Sequence, residues 1–183
     1  MKFATIALAA ATVQAEDAAR ENTLWYVDGV KGYHEGFYKA FYKSSNHQEN
    51  DKCLDDETID SITEWGNIMM DPVTAMGNMA NMTADINAMT DGMEIFENMQ
   101  TCRFEGPMYD ILHVCKKEPE ACTMKKIGEN LTKNMFVLVG KMTSLAETMQ
   151  NFPATGRKEF RDQMVELGDD MGTVWRVMLN YHE

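Results

Sequence analysis

Met124, Leu131, Leu138, Leu145 and Phe152 stand seven residues apart, and Met135, Met142 and Met149 interleave with them, so this stretch carries an apolar seam over about four heptads. A strand alternates its faces every second residue and cannot use such a period. The segment is therefore expected to be helical. The pattern stops at "NFPATG", Asn151 to Gly156, where Pro153 ends one helix and Thr155 can cap the next. It resumes at steps of four and three through Phe160, Met164, Leu167, Met171, Val174, Met178 and Tyr181. Two heptad helices joined by so short a loop must lie antiparallel, and their seam rows are the expected core.

The same steps recur along most of the chain, while period-two alternation with β-branched residues is missing. The fold class expected is all-α: a disulfide-stapled up-and-down helical bundle ending in an antiparallel helical hairpin. "DETIDSITEWGNIMM" reads as a short helix whose Asp56 and Glu57 suit a positive N-terminus. From Pro72, a favoured first-turn residue, a longer helix places Met76, Met79, Met82, Ile86, Met89, Met93 and Phe96 on one drifting face. "GPMYDILHVCKKEPEAC" reads as a connector helix ending before Pro119.

The opening "MKFATIALAAATVQA" has one Lys, an apolar run and small residues at Val13 and Ala15, the layout of a signal peptide over residues 1–15. Cleavage is expected near Glu16. Residues 16–23 read as a flexible N-terminus and 24–183 as a single helical-bundle domain. Net charge is −12, which repels phosphate backbones and argues against nucleic-acid partners. No later stretch reaches 18 uncharged apolar residues, so no transmembrane segment is expected in the mature chain.

Cys53, Cys102, Cys115 and Cys122 are an even number behind a secretory leader, which favours two disulfides. Three pairings are possible. Cys53–Cys102 with Cys115–Cys122 is the one expected, because the ends of neighbouring helices can meet at one end of the bundle and Pro119 lets two nearby cysteines staple a junction. The sequons Asn81-Met82-Thr83 and Asn130-Leu131-Thr132 both fall to the flank of apolar faces, so both asparagines are expected to be exposed and glycosylated.

"GVKGYHEGFYKAFYK" puts Gly29, Gly32 and Gly36 among aromatics in a segment whose Val27, Val30, His34, Phe37 and Phe41 form a heptad stripe. Each interior glycine costs a helix about 1 kcal/mol relative to alanine, so a row of them calls for a close neighbour. Gly168 and Gly172, also four apart, offer one. Gly32 and Gly36 are expected to cross Gly168 and Gly172. The order "GYHEGFYKAFYK", Cys53, an amphipathic helix, Cys102, a connector, "KNMFVLVGKM" and a closing "ELGDDMGTVWRVML" resembles a group of small secreted all-α proteins predicted from ciliate genomes. That resemblance covers nearly the whole mature chain and implies architecture and secretory origin, with no activity. Cys115 and Cys122 look like additions to its pattern.

Little in the sequence suggests catalysis. His34, His47, His113 and His182 include no pair at helical zinc spacing, and His113 beside Cys115 competes with a disulfide. "DINAMTDGME" places Met89 where a calcium loop needs oxygen. Ser44, Ser45, Ser61 and Ser144 lack a nucleophile elbow or a histidine placed by pattern, and Asp169–Asp170 reads as a solvated helix face. No metal, cofactor or enzymatic activity is expected. The 17 methionines read first as core filler and secondly as an adaptable apolar groove. The expected function is a secreted, non-catalytic helical protein that acts through protein contacts or self-association. A carrier of lipid or another apolar ligand is the alternative.

Overall fold

The computed structural model describes residues 2–44, 53–70, 92–93, 95–97 and 100–182, with side chains described from residue 17 onward and not for 67–70. Helix α1 spans Lys2–Tyr42, α2 Asp56–Met70, α3 Gly106–Lys117, α4 Met124–Lys133, α5 Met135–Gln150 and α6 Arg157–Leu179, with a 3-10 turn at Pro119–Cys122. The described residues contain no strand, and the protein is all-α and stapled by two disulfides. Residues 16–23, read as loose, lie inside α1. The helix expected from Pro72 lies, up to residue 91, outside the described residues. Where the sequence reads as one domain, contacts group the chain into two units: Met1–Val27 with Asn50–Cys102, and Asp28–Glu49 with Arg103–Glu183.

In the first unit, Asp55 caps α2. Its Oδ1 accepts from Thr58 N at 3.0 Å and from Thr58 Oγ1 at 2.7 Å, which satisfies one of the amides that a helix start leaves open. Arg20 of α1 then forks onto α2, with Nε 2.6 Å from Asp60 Oδ1 and Nη2 3.1 Å from Asp56 Oδ1. Thr58, Ile59 and Thr63 of α2 are buried, as are Cys53 and Cys102, which are bridged with Cα atoms 4.6 Å apart.

The second unit is built on a parallel crossing of α1 and α6. The pairing climbs in step along both helices. Asp28 meets Arg157 at 2.5 Å, Glu35 meets Arg161 at 2.8 Å, and Arg176 Nη1 donates to Ala40 O at 2.5 Å. Phe37, Phe41, Ile111 and Leu179 form the buried core, flanked by Tyr33, Tyr42, Met171, Trp175, Tyr181 and the Cys115–Cys122 bridge. The buried and partly buried aromatics contribute large apolar areas to this core. Helices α5 and α6 form the antiparallel C-terminal hairpin: Ser144 Oγ donates to Glu166, Lys141 reaches Asp169 and Asp170, and Asn130 on α4 reaches Met178.

Three expectations about the core need correction. The long heptad helix is broken at Asn134, whose side-chain amide donates to Asn130 O at 2.9 Å and competes with the helix ladder there. The methionine half of the seam also turns outward: Met124, Met135, Met142 and Met149 are each more than half exposed, while Leu131, Leu138 and Leu145 are partly buried. Helix α5 has apolar residues on both sides, so only one of its two rows can face α6. Finally, Val30 of the α1 stripe is exposed, because the stripe is displaced toward the glycine row that α6 occupies.

Candidate interaction face

The glycines define how near α1 and α6 come. A Cβ at Gly36 would lie 1.9 Å from Val165 O, one at Gly168 2.0 Å from Tyr33 O, one at Gly172 2.5 Å from Phe37 O, and one at Gly32 2.7 Å from Arg161 O. These neighbours are backbone atoms that cannot step aside. At Gly29 the obstacle is the Phe160 ring. Gly32, Gly36, Gly168 and Gly172 thus share one crossing, where two main chains touch.

Cys53–Cys102 and Cys115–Cys122 are bridged, with Cα separations of 4.6 and 5.4 Å, inside the range that a disulfide needs. Asn81 lies outside the described residues. The exposure expected at Asn130 is corrected: the residue is 3% exposed and its Nδ2 donates to Met178 O at 3.0 Å. The break at Asn134 and the packing of α4 on α6 turn this flank inward. Asp169–Asp170 is not a solvated pair either. Asp170 is 2% exposed, since it faces α5, where Lys141 Nζ stands 3.0 Å away. Burial alone would lower the Lys141 ammonium, but hydrogen bonds and charge from Asp169 and Asp170 hold it above the ordinary lysine value.

The other candidate residues of the sequence are placed separately among the described residues. His34 is buried, edge-on to Phe104 at 4.8 Å; His113 stacks near Tyr109; His182 bonds to Asn180; and His47 lies outside the described residues. Ser61 and Ser144 bond to Glu57 O and Glu166, while Ser45 and most of "DINAMTDGME" lie outside the described residues. Among the described residues, no three His, Cys, Asp or Glu side chains gather closely enough to hold a metal. Burial, followed by the hydrogen bond to Asp110, raises the Tyr42 phenol far above its usual value. A cleft of about 470 Å³ at the α5–α6 loop is lined by Asn151, Pro153, Ala154, Thr155, Gly156, Glu159 and Gln163, with no methionine in its wall.

The most distinctive surface is the outer side of α5. At about 100° per residue, Lys141, Leu145 and Thr148 point toward α6, and Met149, Met142, Met135, Ala146, Val139, Gln150, Thr143 and Phe136 fan over the opposite side. Phe136 is 90% exposed, Val139 and Met142 58% each. No charged residue interrupts this stripe, although the chain as a whole carries −12. Its members Met135, Val139, Met142, Ala146 and Met149 follow steps of 4, 3, 4 and 3, the spacing of a coiled-coil seam. That second row was present in the sequence beside the leucine row. Among the described residues, no helix is long and apolar enough to cross a membrane. No family model, curated protein or solved structure matches the chain.

Proposed function

We propose that this is a secreted, non-catalytic protein that works by presenting the outer side of α5 to another protein. The single observation that carries the reading is the uncharged apolar stripe from Met135 to Met149, with Phe136, Val139 and Met142 largely free. Large exposed apolar patches on folded proteins mark interaction surfaces, and Met and Phe are enriched in the centres of such interfaces. Secretion is supported by the leader-like residues 1–15 and by two disulfides, which persist in oxidising compartments. The resemblance to small secreted all-α proteins points the same way, and a glycan belongs to this reading at Asn81.

The test compares wild type with Val139→Glu/Met142→Glu, both expressed in cells that secrete the protein natively, with the unfractionated medium run on a sizing column. The wild type is expected in an assembly larger than one chain. The variant should keep the helical content of the wild type but elute as a single chain. Identical elution of the two proteins, or a stoichiometric lipid recovered from the wild type by solvent extraction, would overturn the proposal.

A further inference from the structure

We infer that the occupant of the α5 stripe is a second copy of this chain, the two α5 helices packing about a two-fold axis into a short coiled-coil seam. The inference rests on the α5 reading above and adds the partner. The stripe has the geometry that another helix needs. Met135, Val139, Met142, Ala146 and Met149 repeat at steps of 4, 3, 4 and 3 across nearly the full length of a 16-residue helix, so they can interleave with the same row on a copy. A two-fold interface must be self-complementary, and a row of flexible thioethers around one β-branched residue fits itself more readily than a shaped pocket would.

The charge pattern permits the same choice. Two copies of a chain at −12 repel, and contact through an uncharged stripe adds least to that repulsion. The stripe carries none over its whole width. Its nearest acidic neighbour, Glu147, lies at its edge next to Gly140. A basic partner would find nothing to pair with here, and an acidic membrane surface would be repelled by the rest of the chain. The size is also suitable. With Phe136 at 90% and Met135, Val139, Met142 and Met149 at 51–58% exposure, the stripe offers about 600–700 Å² per copy. Complete burial in a symmetric pair would remove about 1,200–1,400 Å², and a contact limited to the seam less, which places it at or below the lower end of stable specific interfaces. A reversible dimer in the micromolar range is the corresponding strength.

The test is sedimentation equilibrium of the purified, oxidised protein alone, from about 1 to 200 μM. The expected result is a weight-average mass that rises from near one chain toward two over this range for wild type and stays at one chain for Val139→Glu/Met142→Glu. Leu112→Glu, on the exposed side of α3, is the control and should dimerise as wild type does. Equal melting temperatures at about 1 μM, where the wild type too is mostly a single chain, show that all three are folded. A wild type that stays monomeric at 200 μM would overturn the second copy, and the α5 proposal would still stand if the native assembly in the medium persists. Dimerisation that survives Val139→Glu/Met142→Glu, or is lost in Leu112→Glu, places the contact elsewhere and overturns it too. So does a monomer that floats with neutral phosphatidylcholine vesicles through the same residues, because the occupant is then lipid.

Discussion

The side-chain amide of Asn130 donates a 3.0 Å hydrogen bond to the main-chain carbonyl of Met178, joining α4 to the last turn of α6. That nitrogen is also the atom to which a glycan would be attached in the sequon Asn130-Leu131-Thr132. Attachment would leave that nitrogen a single N–H and force a bulky group into a site that is 3% exposed.

Asn130 is therefore expected to be unmodified in the folded protein. Two substitutions that abolish the sequon equally should differ in stability. Asn130→Ala leaves the Met178 carbonyl without its partner and should cost about 1–3 kcal/mol. Thr132 is exposed and its hydroxyl bonds only back to Gly128 O, so Thr132→Ala should change stability by about 0.5 kcal/mol or less. Denaturant melts with peptide mass mapping read both. A glycan found on Asn130 in folded material sinks the expectation.

The α1–α6 crossing predicts a change of sign between glycines. At Gly36 and Gly168 even one added carbon meets backbone within about 2 Å, so Gly36→Ala and Gly168→Ala should each destabilise by about 1–3 kcal/mol or more. Gly128 and Gly140 have nothing within 4 Å of that position. Alanine there gains helix propensity and should stabilise by about 0.5–1 kcal/mol. Thermal melts of the four single variants decide, and a raised midpoint for Gly36→Ala would contradict the crossing.

What could be read from the sequence and what could not divide along a physical line. Steps of three and four give helices, the short Pro-containing loop gives the antiparallel hairpin, and Pro119 between two near cysteines gives a local staple, because each depends on residues close in the chain. The glycines of α1 and α6 are visible as spacing, while their meeting is visible only in three dimensions. Helix α5 defeated the periodicity argument, since it carries a leucine row and a methionine row and spacing alone does not say which one finds α6. Asp170 and Asn130 were misplaced for a related reason. A polar residue is read as exposed unless its partner is known, and Lys141 and Met178 lie 29 and 48 positions away.

Alkaline pH should weaken the second unit. Burial raises the Tyr33 phenol, and burial with the Asp110 hydrogen bond raises Tyr42, both from an ordinary value of 10.0; Lys141 is raised from 10.5 by Asp169 and Asp170. In each case the folded chain holds its proton more tightly than the unfolded chain does. The stabilisation is complete below about pH 10 and declines as pH rises from the unfolded values through the folded ones. Melting midpoints should be insensitive to these groups at pH 7–9.5 and then fall. The fall should be shallower in Tyr42→Phe, which has one fewer raised phenol. A midpoint that rises above pH 10 has the wrong sign and rejects the assignment.

The α5–α6 contact turns on a nearly buried carboxylate and its one close ammonium. Asp170 is 2% exposed and Lys141 Nζ lies 3.0 Å from it, whereas Asp169, the other partner of the same ammonium, has a side chain 43% exposed. Lys141→Met would keep the packing of the methylene stem and remove the charge, leaving Asp170 uncompensated between two helices. Breaking a buried pair from one side costs about 3–5 kcal/mol, and the partial exposure of Lys141 places the expected loss near the lower figure. Asp169→Asn removes only a half-exposed partner and should cost about 0.2–1 kcal/mol. Lys141→Met combined with Asp170→Asn should be more stable than Lys141→Met alone, because no net charge is then left inside. Denaturant unfolding of the wild type, Lys141→Met, Asp170→Asn and this double variant closes a mutant cycle. A loss below about 1 kcal/mol for Lys141→Met, or a double variant whose losses simply add, would mean that water reaches Asp170 and that the pair does not hold the hairpin.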